Sequence, residues 1–177
     1  MPSADRAGER SVRIETLSET HGRTAFSCGN RRIDQYLADG LDYQVHNLGR
    51  VFVAVDRKSG SRDVLGYYAI HNHSIHARLV PNPLGARLNR ETEVGTLYVM
   101  MLGVDRGRQR QGIGTDLLID VLRRTRRVNK DTAVWAVVLD ALDARAEKFY
   151  RSLGFETLDS ATRRMFFPTI DIPAGGS

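Results

Sequence analysis

The chain has 177 residues, 41% hydrophobic and 27% charged, a balance that buries one core and excludes both an intrinsically disordered chain and a membrane-embedded one. One cysteine, Cys28, rules out an internal disulfide framework and argues against cysteine-ligated zinc, so a reducing cytoplasm is the expected compartment. The formal net charge of +5 suits anionic partners, whether nucleic acid, an anionic coenzyme or an acidic protein, and serves solubility equally well.

Met1 to Arg10 is polar, without the apolar core of a signal peptide, and no run is long and apolar enough to span a bilayer. Val12 and Ile14 alternate with polar neighbours and predict a short first strand. Asn30 is placed to cap a helix in which Ile33, Leu37, Leu41, Val45 and Leu48 recur on one face, with Gly40 as a break and Gly49 at its end. Val51 to Val55 predicts a buried strand. The Lys58-Ser59-Gly60-Ser61 turn then leads into a strand over Val64 to Ile70, so the two form a hairpin.

Ser74 to Glu93, with Pro81 and Pro83, reads as a loop able to carry substrate contacts. Val94 to Val104 predicts a long strand. Gln111 to Val128 predicts an amphipathic helix with Ile113, Leu117, Leu118, Val121 and Leu122 inward. Ala133 to Leu139 is apolar on both faces, as a central strand is. Asp143 caps a helix that runs to Leu153 and closes at Gly154. One or two strands follow within Phe155 to Phe167, and 170–177 is expected to fray. The order is that of an α/β chain with a right-handed crossover and, because of the first hairpin, a mixed sheet in a single domain over 1–177.

The informative segment is Val104-Asp105-Arg106-Gly107-Arg108-Gln109-Arg110-Gln111-Gly112-Ile113-Gly114-Thr115, between a buried strand and a helix start. Gly112 and Gly114 let a ligand approach the backbone, and first-turn amides at the positive end of the helix dipole favour an anion such as a pyrophosphate. Arg108 and Arg110 add charge. The plain alternative is a tight strand-to-helix turn. The segment is neither a Walker motif, for want of Lys-Ser/Thr, nor a dinucleotide fingerprint, for want of the third glycine.

Other chemistry-bearing residues favour plainer roles. Cys28 lacks an assignable base and reads as a small buried residue. His71, His73 and His76 have no carboxylate or thiolate nearby and read as surface or cleft histidines rather than metal ligands. Glu91 and Glu93 stand where they can deprotonate an amine, although a solvated loop is the simpler reading.

Gln109-Arg110-Gln111-Gly112-Ile113-Gly114 resembles the Q/R-x-x-G-x-G/A motif of the GNAT acetyltransferase superfamily, and Asp143 to Phe155 resembles that family's last helix with its Gly-Phe exit. The resemblance implies the GNAT fold, a central mixed sheet with splayed strands flanked by helices. It implies an acetyl-CoA-dependent N-acetyltransferase with no metal. Cofactor contacts would come from Leu102, Gly103, Val104, Gln109, Arg110, Gln111, Gly112, Ile113, Gly114, Thr115 and Phe149. Tyr150 would act as general acid in a direct transfer, with an amide near Leu102 polarising the thioester carbonyl.

Phe26-Ser27-Cys28-Gly29-Asn30 with Ile33-Asp34-Gln35-Tyr36-Leu37 is similar to the opening of the TacT-like toxins. That narrower resemblance implies acetylation of the α-amino group of aminoacyl-tRNA, a block of translation, a ribbon-helix-helix antitoxin as partner and a possible homodimer. The basic clusters Arg106, Arg108, Arg110 and Arg123, Arg124, Arg126, Arg127, Lys130 suit a phosphate backbone. The segment before the central strand departs from the pattern of those toxins. An acetyltransferase for a small amine, peptide or protein N-terminus therefore stays open, as does a non-catalytic acyl-CoA-binding module.

Overall fold

A computed structural model describes residues 12–81 and 85–174. Seven strands are hydrogen-bonded in the order β1-β2-β3-β4-β5-β7-β6, mixed in direction as the opening hairpin requires. Contacts divide the chain into two compact units, Met1–Ala69 with Met101–Leu117 and Ile70–Met100 with Leu118–Ser177. Two strands and one helix are shared out between them. Among the described residues no helix is long and apolar enough to cross a membrane.

In the first unit β1 (Val12–Thr16) pairs antiparallel with β2 (Arg50–Asp56), from Val12–Asp56 to Thr16–Phe52. Val51 to Val55 are buried on both faces, as their unbroken apolar run demands. The Asn30 carboxamide oxygen accepts from the amides of Arg32 and Ile33 at 3.0 and 3.3 Å and so starts α1 (Arg31–Ala38).

The helix breaks at Asp39, and Gly40 opens the short α2 (Gly40–Val45). Gly40 is there for packing: a Cβ would stand 2.8 Å from Leu17 Cδ2. The single apolar face predicted through Leu48 ends earlier, since Val45 and Leu48 are 75% and 59% exposed. Gln44 anchors the helix instead, donating to the Leu17 carbonyl at 3.0 Å and accepting from the Val51 amide at 3.1 Å. Asn47, at φ 55°, reverses the chain where Gly49 was expected to.

Tyr67, in the first part of β3 (Gly66–His76), is fully buried and donates to the Ile33 carbonyl at 2.6 Å. Tyr67→Phe removes that bond but leaves the carbonyl its helical amide partner, so it is expected to cost roughly 0.5–1.5 kcal/mol in a denaturant titration.

In the second unit β3 continues to His76, so Ser74–His76 are strand rather than the predicted loop. The strand persists because β4 (Glu93–Val104) begins alongside it. The Ala77 amide donates to the Thr92 carbonyl at 2.9 Å, and the Ser74 hydroxyl donates to the Glu93 carboxylate. Short 3-10 turns at Ala77–Leu79 and Gly85–Arg87 flank Pro81. Pro83 lies outside the described residues.

β4 pairs parallel with β5 (Ala136–Asp140), the crossover being α3 (Ile113–Val128). β5 pairs antiparallel with β7 (Arg164–Pro168), and β7 with β6 (Glu156–Asp159). Val134 and Trp135 precede β5 instead of joining it, although the Trp135 amide still donates to the Gly95 carbonyl at 2.9 Å. Leu118 and Val121 are buried as predicted, and Thr125 hides its hydroxyl on the Val121 carbonyl at 2.9 Å. Towards the C-terminus Ile170 is 90% exposed, whereas Ile172 is buried and the Pro173 carbonyl accepts from Arg126.

Candidate active site

The β4–β5 ladder runs from Thr96–Ala136 to Val99–Leu139; β5 ends at Asp140 while β4 continues to Val104. Leu102, Gly103 and Val104 form that continuation. Gly103 is fixed by packing, because a Cβ there would meet Ile33 Cγ2 at 2.8 Å.

From Val104 the chain enters a tight turn. The Asp105 carboxylate accepts from the Gly107 amide at 2.9 Å and the Ser27 amide at 3.1 Å, fastening the turn to the segment before α1. Arg110 holds φ 62° and Gly112 φ 86°. A non-glycine residue in that region costs on the order of 1 kcal/mol, strain of the kind that collects at ligand sites.

Gly112 cannot be helical at that φ, so α3 begins at Ile113 and not at the predicted Gln111. Its carbonyl accepts from the Asp116 amide at 3.0 Å, which makes Gly112 the cap residue. A glycine cap offers no side-chain acceptor, so the amides of Ile113, Gly114 and Thr115 face outward without one. A Cβ on Gly112 would meet nothing within 4 Å, so the space beside the cap residue is open. This arrangement fits a diphosphate.

The two glutamines of the turn act as braces. Gln109 donates to the carbonyls of Cys28 and Val104 at 3.0 and 3.1 Å, and Gln111 donates to that of Gly107 at 3.3 Å. Arg108 and Arg110 are exposed.

In the second unit Asp143 accepts from the Ala146 amide at 2.7 Å and starts α4 (Ala144–Ser152). Tyr150 is buried in its last turn, 5.5 Å from the Phe149 ring and 6.0 Å from that of Phe155. Burial, with the Asp143 charge, pushes its phenol up to about 12. The proton therefore stays on the oxygen at neutral pH. Gly154, at φ 97°, ends the helix as predicted.

Cys28 is half-buried and its thiol is pushed up to about 11 by burial and by Asp34, so it is protonated at neutral pH and unsuited to nucleophilic attack. His71 and His73 are half-buried on β3 and held below their usual range by burial. Both rings pack on Tyr98, at 5.5 and 5.2 Å, and His73 Nδ1 bonds Thr96 Oγ1 at 3.0 Å. Tyr98 donates to Asp140 at 2.8 Å, and Arg164 grips the same carboxylate with two bonds of 2.7 and 2.9 Å.

No spacing rule brings Tyr98, Asp140 and Arg164 together, because β-sheet register does it. Among the described residues no group of three His, Cys, Asp or Glu can hold a metal. Glu91 is exposed, and Glu93 is engaged by Ser74. In the basic cluster of α3, Arg124 pairs with Asp120 at 2.7 Å, while Arg123, Arg127 and Lys130 are exposed.

A mixed sheet with an unequal pair of central parallel strands and a glycine-capped helix start offers an anion site of the kind an acyl-CoA-dependent transferase needs. Residues 23–155 match the Acetyltransferase (GNAT) family, and the chain belongs to that family. It is an N-acetyltransferase that uses acetyl-CoA.

Over 167 residues it is 29% identical to the "Probable toxin TacT" of Sinorhizobium fredii, covering 90% of this chain and 92% of that one. Over 141 residues it is 30% identical to the "tRNA-acetylating toxin" of Mycobacterium tuberculosis, covering 79% and 81%. In fold it resembles the AtaT toxin complexed with acetyl-methionyl-tRNAfMet, at TM-score 0.83 and 22% identity over 91% and 96% of the chains. It also resembles AtaT bound to acetyl-CoA and the C-terminus of the antitoxin AtaR, at TM-score 0.76 and 22% identity over 92% and 96%.

Proposed function

We propose that the chain is a single catalytic domain of a cytoplasmic toxin, which acetylates the α-amino group of aminoacyl-tRNA and thereby blocks translation. The observation that carries this reading is the near full-length similarity to two toxins, one of them named for tRNA acetylation. The net charge of +5 and the exposed arginines of α3 support a polyanionic acceptor.

Acetyl-CoA, when bound, supplies an activated thioester. The amides of Ile113, Gly114 and Thr115 hold its diphosphate, with Arg108 and Arg110 adding charge. The Leu102–Val104 backbone would receive the pantetheine arm as an added strand. An amide near Leu102 polarises the thioester carbonyl. The neutral amine attacks that carbon, the carbon–sulfur bond breaks, and the sulfur takes a proton from the Tyr150 phenol. The proton shed by the acetylated nitrogen restores the phenol through solvent. An aminoacyl ester has a less basic amine than a lysine side chain, so a larger fraction is nucleophilic at pH 7.

A ribbon-helix-helix antitoxin is the proposed partner, supported by the antitoxin bound to the fold neighbour AtaT.

Incubation with labelled acetyl-CoA and total charged tRNA is expected to place label on the esterified amino acid, released by mild base as the N-acetyl amino acid. Label confined to proteins or free amines would refute the tRNA reading and leave an acetyltransferase of small acceptors.

A further inference from the structure

A surface cavity of about 440 Å³ opens in the first unit, beside the start of α1. Three arginines line it, Arg23, Arg31 and Arg106, against one carboxylate, Asp34. Its construction is specific. Gly29 adopts φ +98°, and a Cβ there would sit 2.8 Å from Arg106 Nε, so the guanidinium rests where only a glycine leaves room. The Arg106 amide donates to the Ser27 carbonyl at 2.9 Å, which fixes the base of that side chain.

Asp34 has its oxygens spent on the Cys28 amide at 2.8 Å and the Ser27 hydroxyl at 3.1 Å. Burial pushes its carboxyl up, but those bonds and the Arg106 charge outweigh it and hold the group below its usual range. Arg23 is steadied by a neutral partner, the Ala38 carbonyl at 3.1 Å, so its charge is not cancelled. Arg31 sits in the first turn of α1, at the positive end of the helix dipole, where a cation is disfavoured. Among the described residues none of the three arginines is within ion-pair distance of a carboxylate. Three guanidiniums around one carboxylate that already accepts two hydrogen bonds, with Arg23 and Arg106 held in place, make a receptor for an anion with several oxygens.

We propose that this cavity binds a backbone phosphate of the RNA acceptor, so that Arg23 and Arg31 hold the nucleic acid and contribute nothing to the chemical step. The proposal rests on the tRNA reading above and names the surface that makes the acceptor a nucleic acid. Recognition of this kind reads charge and shape, not bases.

The test uses the full chain carrying Arg23→Gln and Arg31→Gln together. Dissociation of charged tRNA is measured at salt concentrations from roughly 50 to 200 mM. The wild type is expected to lose affinity steeply as salt rises. The double variant is expected to bind roughly tenfold more weakly at the low end, with a log–log slope shallower by about 0.8, as loss of one phosphate contact requires. Its affinity for acetyl-CoA, its rate with methionine methyl ester and its melting temperature are expected to stay at the wild-type values. Arg23→Lys with Arg31→Lys keeps the charge and is expected to restore the slope.

An unchanged slope and affinity would overturn the proposal. A loss of acetyl-CoA affinity would overturn it too, assigning the cavity to the coenzyme's 3′-phosphate. A loss confined to binding of an acidic antitoxin peptide would overturn it in favour of a protein ligand. Failure of the tRNA reading is distinguished by the wild type itself, which would then acetylate the methyl ester but not charged tRNA.

Discussion

Tyr150→Phe is expected to lower kcat on the order of 10²-fold or more while leaving acetyl-CoA affinity within about twofold. A positioned general acid contributes about 10² to 10⁴, and two powers of ten correspond to about 2.7 kcal/mol. The substitution deletes one oxygen and keeps the ring, whose packing on Phe149 and Phe155 holds the last turn of α4. A loss confined to kcat therefore isolates the proton. Because burial and Asp143 push the phenol up to about 12, it stays protonated throughout the neutral range. The wild-type rate should consequently show no descending limb from this group below about pH 11, any rise near neutrality reflecting amine deprotonation. Undiminished single-turnover acetylation by the Phe variant, read by rapid quench, would remove Tyr150 from the mechanism.

Gly112→Val is expected to weaken acetyl-CoA binding by at least tenfold, read by isothermal titration calorimetry. A Cβ at Gly112 meets nothing within 4 Å, so its addition brings no clash of its own. The penalty is conformational, because φ 86° costs a residue with a Cβ roughly 1–2 kcal/mol, and a β-branched one at least that. The chain relieves the strain by leaving that φ, which turns the amides of Ile113 to Thr115 away from their common direction.

Gly60 supplies the control. It too has a positive φ, 69°, with open space around it, and it lies in the exposed turn between β2 and β3. Gly60→Val is expected to carry comparable strain and to leave acetyl-CoA binding intact. Equal loss in both variants would show that stability, not amide direction, governs binding.

Much of this molecule is legible along the chain. The Asn30 and Asp143 caps, the reversal at Gly154 and the buried run Val51 to Val55 follow from rules of one or two turns' range, and the structure has each where expected. Expectations slipped where distant chain intervened. Ser74 to His76 read as a loop because their strand character comes from β4, some twenty residues on. Leu48 looked like the end of an apolar face, yet Gln44, bonded to β1's exit and β2, sets the orientation of α2. Gln109 belongs to the motif, and only the folded turn shows that its carboxamide braces the loop from within.

The sequence by itself determined the family, the glycine turn leading into a helix and the candidate acid on α4, because each is written in residues close together; that Gly112 caps the helix, which starts at Ile113, came from its positive φ in the structure. Only the tertiary structure decided which charges meet. The clustering of Tyr98, Asp140 and Arg164 depends on strand register, and the arginine cavity depends on α1 folding beside the turn after β4. Side chains 8 to 83 positions apart in the chain become neighbours there through packing, which no local periodicity encodes.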